Sequence, residues 1–219
     1  MGISAHQSVL KNLLDSLNNF SLSEDSIKKV HRCLMGNPFA WEAEFEPELV
    51  GNYRNIPIGG FRQPFFEDKE YVAHYRLIDV MGTWVEMFNN RFSDIDNTTE
   101  EKHILTRIAY FHNKFLNELH PFADGNGRVC RIIIGAILMQ NDCPPIFPEI
   151  TTQEEQIEYI TTIVNCESEK SDILLVTYFA EGMTDYLMKR VKEKSYTLSF
   201  TSFINHSKVL PFLPSSLVK

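Results

Sequence analysis

The sequence predicts an all-α fold with one small β-hairpin. Apolar residues recur every three or four positions along most of the chain, which is the period of a helix with one buried face. The stretch 36–66 loses this period and is interrupted by glycines and prolines. The segment 132–139 is apolar almost all round, which predicts a helix at the centre of a helical bundle.

The helices are expected in a fixed order along the chain. Two capping boxes, each a Ser or Thr followed three residues later by Glu, place helix starts at Ser21 and Thr98, and Asp172 is placed to cap the last helix. The helix from about Thr98 leads to residue 119 with one apolar face. The predicted helices cover 9–17, 21–34, 68–89, 98–119, 132–139, 152–166 and 172–193, and the apolar face comprises Ile104, Ile108, Phe111, Phe115 and Leu119.

The aperiodic stretch and the C-terminal residues complete the predicted organisation. Residues 54–58 and 61–64 flank the pair Gly59 and Gly60, which predicts a hairpin over 56–66. An ordinary surface turn is the alternative. With 219 residues and 43% hydrophobic content, we expect one domain over 1–194. Residues 195–219 have no period and are expected to be an arm, a tail or a docking segment.

Charge and composition narrow the classes of partner. The chain has 29 acidic and 21 basic residues, a formal charge of -8, and no Lys/Arg cluster that would follow a phosphate backbone. Its first residues lack the features of a signal peptide, and no apolar run approaches the length of a membrane span. The four cysteines have no zinc-like spacing. We therefore expect a cytoplasmic protein whose partners include neither nucleic acid nor a membrane.

A twelve-residue run from His120 to Arg131 combines groups that bind phosphate. Gly125 and Gly127 bracket Asn126 at a predicted helix start, where main-chain N–H groups and the helix dipole attract anions. Arg128 and Arg131 lie three residues apart on one side of the next turn, and guanidinium groups bind phosphate oxygens in pairs. The run therefore predicts a site for a pyrophosphate moiety.

Two further residues of the run suit phosphoryl chemistry. Asp124 is a carboxylate beside the predicted phosphates, and Mg²⁺ prefers one or two carboxylates together with phosphate oxygens. His120 titrates near neutral pH and suits a general base that accepts a proton from an attacking hydroxyl. Phe122 is expected to pack inward and fix the loop. Each residue alone has an ordinary structural explanation, but their combination within twelve residues favours a catalytic site.

The run resembles the signature of the Fic (filamentation induced by cAMP) domain family. That signature is His-x-Phe-x-Asp/Glu-Gly-Asn-Gly-Arg-x-x-Arg, and residues 120–131 match it at every fixed position. Ala109 and His112 before the run, and the motif Gly51-x-Tyr53-Arg54 before the predicted hairpin, also resemble the family core. The resemblance covers about 20–190 and implies a Fic-type helical bundle.

The resemblance implies a protein adenylyltransferase, an enzyme that performs AMPylation of a Ser, Thr or Tyr hydroxyl of a target protein. It implies that ATP is the substrate, that His120 is the base and that Asp124 binds Mg²⁺. The residues implied to hold the ATP phosphates are Gly125, Asn126, Gly127, Arg128 and Arg131. The hairpin corresponds to the family's flap, which docks the target through Ile56, Pro57, Ile58, Gly59, Gly60, Phe61 and Arg62.

Regulation and several alternatives stay open at this level. Residues 177–182 resemble the inhibitory Ser/Thr-x-x-x-Glu-Gly/Asn motif of some Fic proteins, in which Glu181 would pair with Arg131. The same residues also resemble the ordinary last core helix, in which case a regulatory partner protein or a segment outside this chain is the alternative. The remaining functional alternatives are removal of AMP, use of another nucleotide such as UTP, and a catalytically silent module that binds nucleotide or a partner protein.

Overall fold

The computed structural model describes residues 21–36, 47–58, 71–93, 103–143, 150 and 152–194. Within these ranges the chain is helical and forms no β-strand, which confirms the predicted all-α fold. Most of the predicted hairpin and the first predicted helix, 9–17, lie outside the described residues. The α-helices are α1 (Glu24–Met35), α2 (Leu77–Arg91), α3 (Ile104–Asn113), α4 (Asn126–Met139), α5 (Gln153–Glu169) and α6 (Ile173–Lys194).

Shorter helical segments connect these elements. Tight turns of 3-10 helix occupy Pro47–Leu49 and His74–Arg76, and a π-helical segment occupies Lys114–Leu119. By its internal contacts the chain divides into two compact units, one formed by 1–93 with 114–136 and the other by 94–113 with 137–219. The single domain expected over 1–194 remains a prediction.

Helix α1 belongs to the first unit, and its start differs from the predicted one. The N-cap is Ser23, whose hydroxyl accepts a hydrogen bond from the N–H of Ser26 at 3.1 Å, while the Ser26 hydroxyl accepts from the N–H of Ser23 at 2.9 Å. A capping box built from Ser21 and Glu24 was therefore a wrong prediction. The Glu24 carboxylate instead accepts a hydrogen bond from the Tyr53 hydroxyl at 2.9 Å.

Helix α2 begins later than residue 68, where the sequence placed its start. Residues 71–73 are not helical, because the main chain of Val72 is bonded elsewhere: its N–H donates to the carbonyl of Glu118 at 2.9 Å, and its carbonyl accepts from Arg54. A 3-10 turn then leads into Leu77, and the helix ends at Arg91. Leu77, Met81 and Phe88 are fully buried in this first unit.

The helix before the motif has two parts. Helix α3 starts at Ile104, where the ring Nδ1 of His103 accepts a hydrogen bond from the N–H of Leu105 at 3.2 Å. Thr98 and Glu101, the predicted capping box, lie outside the described residues. The predicted apolar face is buried along its whole length. The last six residues of the predicted helix, Lys114–Leu119, are π-helical and not α-helical.

In the second unit, helices α3, α5 and α6 pack against one another. Helix α5 begins with a capping box between Thr152 and Glu155. Asp172 stands just before α6, but its carboxylate accepts a hydrogen bond from the Asn113 side chain at 2.7 Å, while the Ser171 hydroxyl accepts from the first N–H of the helix at 3.3 Å. None of the helices in the described ranges has both the length and the apolar content that crossing a bilayer requires.

Candidate active site

The loop from His120 to Gly125 ends at the first turn of α4, which begins at Asn126 as the phosphate-site interpretation expects. Gly125 has φ of +80°, a left-handed conformation that favours glycine. A Cβ atom at this position would also lie 3.0 Å from the sulfur of Met35. The turn therefore requires glycine for its conformation and for its close approach to α1, and it ends at a helix N-terminus, where N–H groups are available to an anion.

The side chain of Asn126 stabilises this loop through two hydrogen bonds to the main chain of Phe122. The side chain is buried, its Oδ1 accepts from the N–H of Phe122 at 2.9 Å, and its Nδ2 donates to the carbonyl of Phe122 at 2.8 Å. An amide is suited to this position because it offers one acceptor and one donor side by side. The sequence-based interpretation placed Asn126 among the phosphate ligands, and with its side chain engaged the group it can offer an anion is its main-chain N–H.

His31 contacts the loop through Phe122 and Asp124, a role that the sequence alone does not indicate. Its ring stacks on Phe122 with centroids 3.8 Å apart and planes 5° from parallel. Nδ1 accepts the N–H of Gly51 at 2.9 Å, so the ring proton is on Nε2, which donates to the carbonyl of Asp124 at 3.1 Å. One neutral imidazole thus links α1, the Gly51 turn and the loop.

Burial makes this link sensitive to acid. Desolvation, helped by the nearby Arg128 charge and opposed by Asp124, lowers the pKa of His31 from 6.5 to about 4. Between these pH values the unfolded chain binds a proton at His31 that the folded chain does not, so the contribution of His31 to the free energy of unfolding rises with pH across this window and levels off above about 6.5. The full effect is about 3 kcal/mol.

We expect His31→Gln to flatten this dependence, because glutamine offers one acceptor and one donor but does not titrate. Urea unfolding at several pH values between 4 and 7.5 measures it. His74→Gln changes a histidine outside the cluster and serves as the matched control. A His31→Gln protein with the same slope as the wild type would show that His31 is not the titrating group.

His120, the last residue before the loop's proline, is held in an unusual backbone conformation. Its φ is +40°, in the left-handed region that few side chains adopt. Its N–H donates to the carbonyl of Phe115 at 2.9 Å, five residues back, and its ring Nδ1 lies 2.8 Å from the carbonyl of Leu116. A carbonyl only accepts, so Nδ1 carries the proton, and a neutral ring has its lone pair on Nε2. Tyr71 packs on the same ring at 4.4 Å.

Asp124 and the two arginines have different surroundings. The Asp124 carboxylate is more than half exposed, accepts from the N–H of Gly125 at 2.5 Å and lies 3.4 Å from the Arg128 guanidinium. Burial lowers the pKa of Arg128, and the Arg131 charge lowers it further. Arg131 is exposed one turn along α4. An exposed carboxylate beside a helix N-terminus is an oxygen donor of the kind Mg²⁺ takes, so the residues present fit that ion.

The remaining predicted site residues belong to the predicted hairpin and to α6. Ile56 is half exposed, Pro57 is exposed and Ile58 is intermediate, whereas 59–62 are not among the described residues. Glu181 is exposed on α6, in the second unit. Its inhibitory role and the docking role of the hairpin remain predictions.

Comparison with known proteins decides the family. The model of the Fic/DOC family matches residues 21–138, which is more than half of the chain. The chain belongs to the Fic/DOC family. Within this Fic protein the match contains the loop, His31 and the whole cluster around His120.

Curated relatives of this Fic protein carry the name protein adenylyltransferase. Fic-1 of Caenorhabditis briggsae is 27% identical over 157 residues, which is 71% of this chain and 27% of the relative. The Fic protein of Nematostella vectensis is 27% identical over 142 residues, 64% of this chain and 28% of the relative. The matched region thus spans little more than a quarter of the length of these relatives.

Solved structures show the same fold. A Fic domain containing signaling protein of Bacteroides thetaiotaomicron superposes with a TM-score of 0.64 at 19% identity, covering 83% of this chain and 67% of that one. Residues 134–508 of Fic-1 from Caenorhabditis elegans superpose with a TM-score of 0.62 at 23% identity, covering 89% of this chain and 50% of that one. This Fic protein therefore has the Fic fold.

Proposed function

We propose that this Fic protein transfers AMP from ATP to a Ser, Thr or Tyr hydroxyl of a target protein. The observation that carries the proposal is the state of His120. Hydrogen bonding to the Leu116 carbonyl leaves the lone pair of a neutral ring on Nε2, and the ring directly precedes a loop that ends at a helix N-terminus. The proposed base, His120, and the proposed anion site at the start of α4 are therefore separated by only five residues, 121–125.

The proposed reaction is an in-line displacement at phosphorus. His120 Nε2 accepts the proton of the target hydroxyl, and the hydroxyl oxygen forms a bond to the α-phosphorus of ATP. The bond between the α-phosphorus and the oxygen bridging to the β-phosphate breaks, and pyrophosphate leaves with that bonding pair. Such reactions depend chiefly on positioning and on stabilising charge on the phosphate oxygens.

The loop and α4 supply the proposed phosphate contacts. Main-chain N–H groups of Asn126 and Gly127 would face the β-phosphate, and the Arg128 and Arg131 side chains would neutralise the terminal phosphates. Asp124 would hold Mg²⁺, which when bound neutralises charge on the phosphates. The intact run of signature residues supports catalysis over a silent interaction module, because Asp124 and Arg131 are exposed and Arg128 is only partly buried, so none of these charges belongs to the core.

The nature of the transferred group tests the proposal. Purified protein with Mg²⁺ and cell lysate is incubated in parallel with ATP labelled on the α-phosphate, ATP labelled on the γ-phosphate, and α-labelled UTP. Label on protein from α-labelled ATP, together with an added mass of AMP, is the expected result. Label from the γ-position would indicate phosphate transfer, and label from UTP alone would indicate another nucleotide. No label from any source would favour the interaction module.

The inhibitory interpretation of Glu181 leads to a separate prediction. If its carboxylate pairs with Arg131, as the family motif implies, Glu181→Gln should raise the rate of AMP transfer about fivefold, since both side chains are exposed and an exposed charge pair contributes up to about 1 kcal/mol. Asp185→Asn, which changes an exposed carboxylate one turn further along α6, is the matched control. Equal rates for Glu181→Gln and the wild type would favour the ordinary core helix, with regulation supplied by a partner protein or by a segment outside this chain.

A further inference from the structure

Arg54 lies at a junction that the proposed chemistry does not use. Its residue is 3% exposed, and its guanidinium donates to main-chain carbonyls on separate segments of the first unit. Its Nε donates to the main-chain carbonyl of His120 at 2.9 Å. The other donors reach the carbonyls of Ile56 at 3.3 Å, Leu119 at 3.4 Å and Val72.

The peptide that Arg54 holds is the strained one. His120 adopts φ of +40°, which costs about 1–3 kcal/mol for a residue of this type and persists only where its surroundings impose it. The Arg54 side chain binds the carbonyl of His120, and the Arg54 main-chain N–H donates to the carbonyl of Pro121 at 2.9 Å. Arg54 thus donates hydrogen bonds to two successive carbonyls, those of His120 and Pro121.

Arg54 also joins the two ends of one stretch of chain. Ile56 and Val72 precede and follow residues 57–71, and the carbonyl of each accepts a hydrogen bond from the Arg54 guanidinium. Most of the predicted target-docking hairpin falls within that stretch. A displacement of either end would therefore remove one of the acceptors that hold the guanidinium against the His120 peptide.

The charge and shape of arginine suit this position. The carbonyls of Leu119 and His120 lie at the C-terminal end of the π-helical segment, where a cation is favourable. Burial lowers the pKa of Arg54, but a guanidinium keeps its charge at any physiological pH. Its donors form a rigid planar fork, whereas lysine offers three donors from one point. Lysine would keep the charge and lose most of the geometry.

We propose that Arg54 is a positioning residue. It fixes the backbone of His120, and thereby the contact between the ring and the Leu116 carbonyl that sets the tautomer, and it connects this peptide to both ends of the stretch 57–71. The effect on turnover rests on the proposed AMP transfer, but the effect on the His120 ring does not. Arg54 acts through His120, and the loop that would bind ATP is held separately by His31 and Asn126.

The test compares Arg54→Lys and Arg54→Met with the wild type, and Arg107→Lys serves as the matched control because Arg107 is a partly buried arginine in the second unit. Nitrogen-15 NMR of histidine-labelled protein reports which ring nitrogen of His120 carries the proton, with His120→Gln used to assign the signal. The rate of AMP transfer and the KM for ATP are measured on the same samples.

In the wild type and Arg107→Lys we expect a single tautomer with the proton on Nδ1. In both Arg54 variants we expect mixed tautomers at His120, and a kcat lowered about tenfold to a hundredfold with KM for ATP within about threefold, as for a misplaced catalytic group. A folded Arg54→Lys protein with the wild-type tautomer and kcat overturns the proposal. If no protein transfers AMP, the proposed function fails, and the tautomer alone still decides the role of Arg54.

Discussion

Replacing His120 with alanine should lower the rate of AMP transfer by roughly 10²- to 10⁴-fold, the usual contribution of a positioned general base. The physical reason is the arrangement of its ring, in which Nδ1 donates to the Leu116 carbonyl and the lone pair of the neutral ring is on Nε2. ATP affinity should change by less than about threefold, because the loop that would bind the phosphates is held by other side chains.

Transfer is measured with α-labelled ATP, and ATP affinity by calorimetry on the same preparation. His74→Ala, a change of histidine in the same unit with no place in the proposed chemistry, should transfer at the wild-type rate. Retention of most of the activity in His120→Ala would remove this residue as the base. A parallel loss of ATP binding would instead assign it to the nucleotide site.

The arginines of α4 should discriminate between nucleotides by the number of phosphates. Replacing Arg128 or Arg131 with glutamine should weaken ATP binding about 10- to 100-fold, since a hydrogen bond to a charged group contributes about 1.5–3 kcal/mol. AMP lacks the phosphates that these side chains are proposed to hold, so its affinity should change little. The difference between the two nucleotides is the expected signature.

Calorimetric titrations with ATP and AMP in the presence of Mg²⁺ make this comparison. Arg91→Gln, at the exposed C-terminal end of α2, is the matched control and should leave both affinities unchanged. Equal losses for ATP and AMP in the Arg131 variant would mean that this arginine affects the whole loop. No loss for either nucleotide would place Arg131 outside the nucleotide site.

The features that the sequence predicts well are those determined by neighbouring residues. The spacing of apolar residues predicts the helices. The glycines around Asn126 predict a turn at the start of a helix, because the backbone freedom of glycine is a local property. The inward packing expected for Phe122 is confirmed by its complete burial. The family signature is likewise contained in one short run.

The features that the sequence does not reveal depend on distant contacts. His31 bonds to a carbonyl 93 residues away, and in the sequence it is one histidine on an amphipathic helix. The side-chain bonds of Arg54 join segments up to 66 residues apart, so its role is visible only in the fold. The start of α2 was missed for a related reason: Val72 is paired with Glu118, and this pairing excludes it from the helix that local propensity predicts.

The ion pair between Asp124 and Arg128 implies thermodynamic linkage between the two ligands of the proposed site. As the chain stands, the carboxylate proposed for Mg²⁺ and the guanidinium proposed for phosphate neutralise each other at 3.4 Å. A cation at Asp124 would release Arg128 for phosphate, and phosphate at Arg128 would release Asp124 for the cation. Each ligand would therefore raise the affinity of the other by the same factor. Because the pair is partly exposed, its contribution is limited to about 1 kcal/mol, or roughly a fivefold change in affinity.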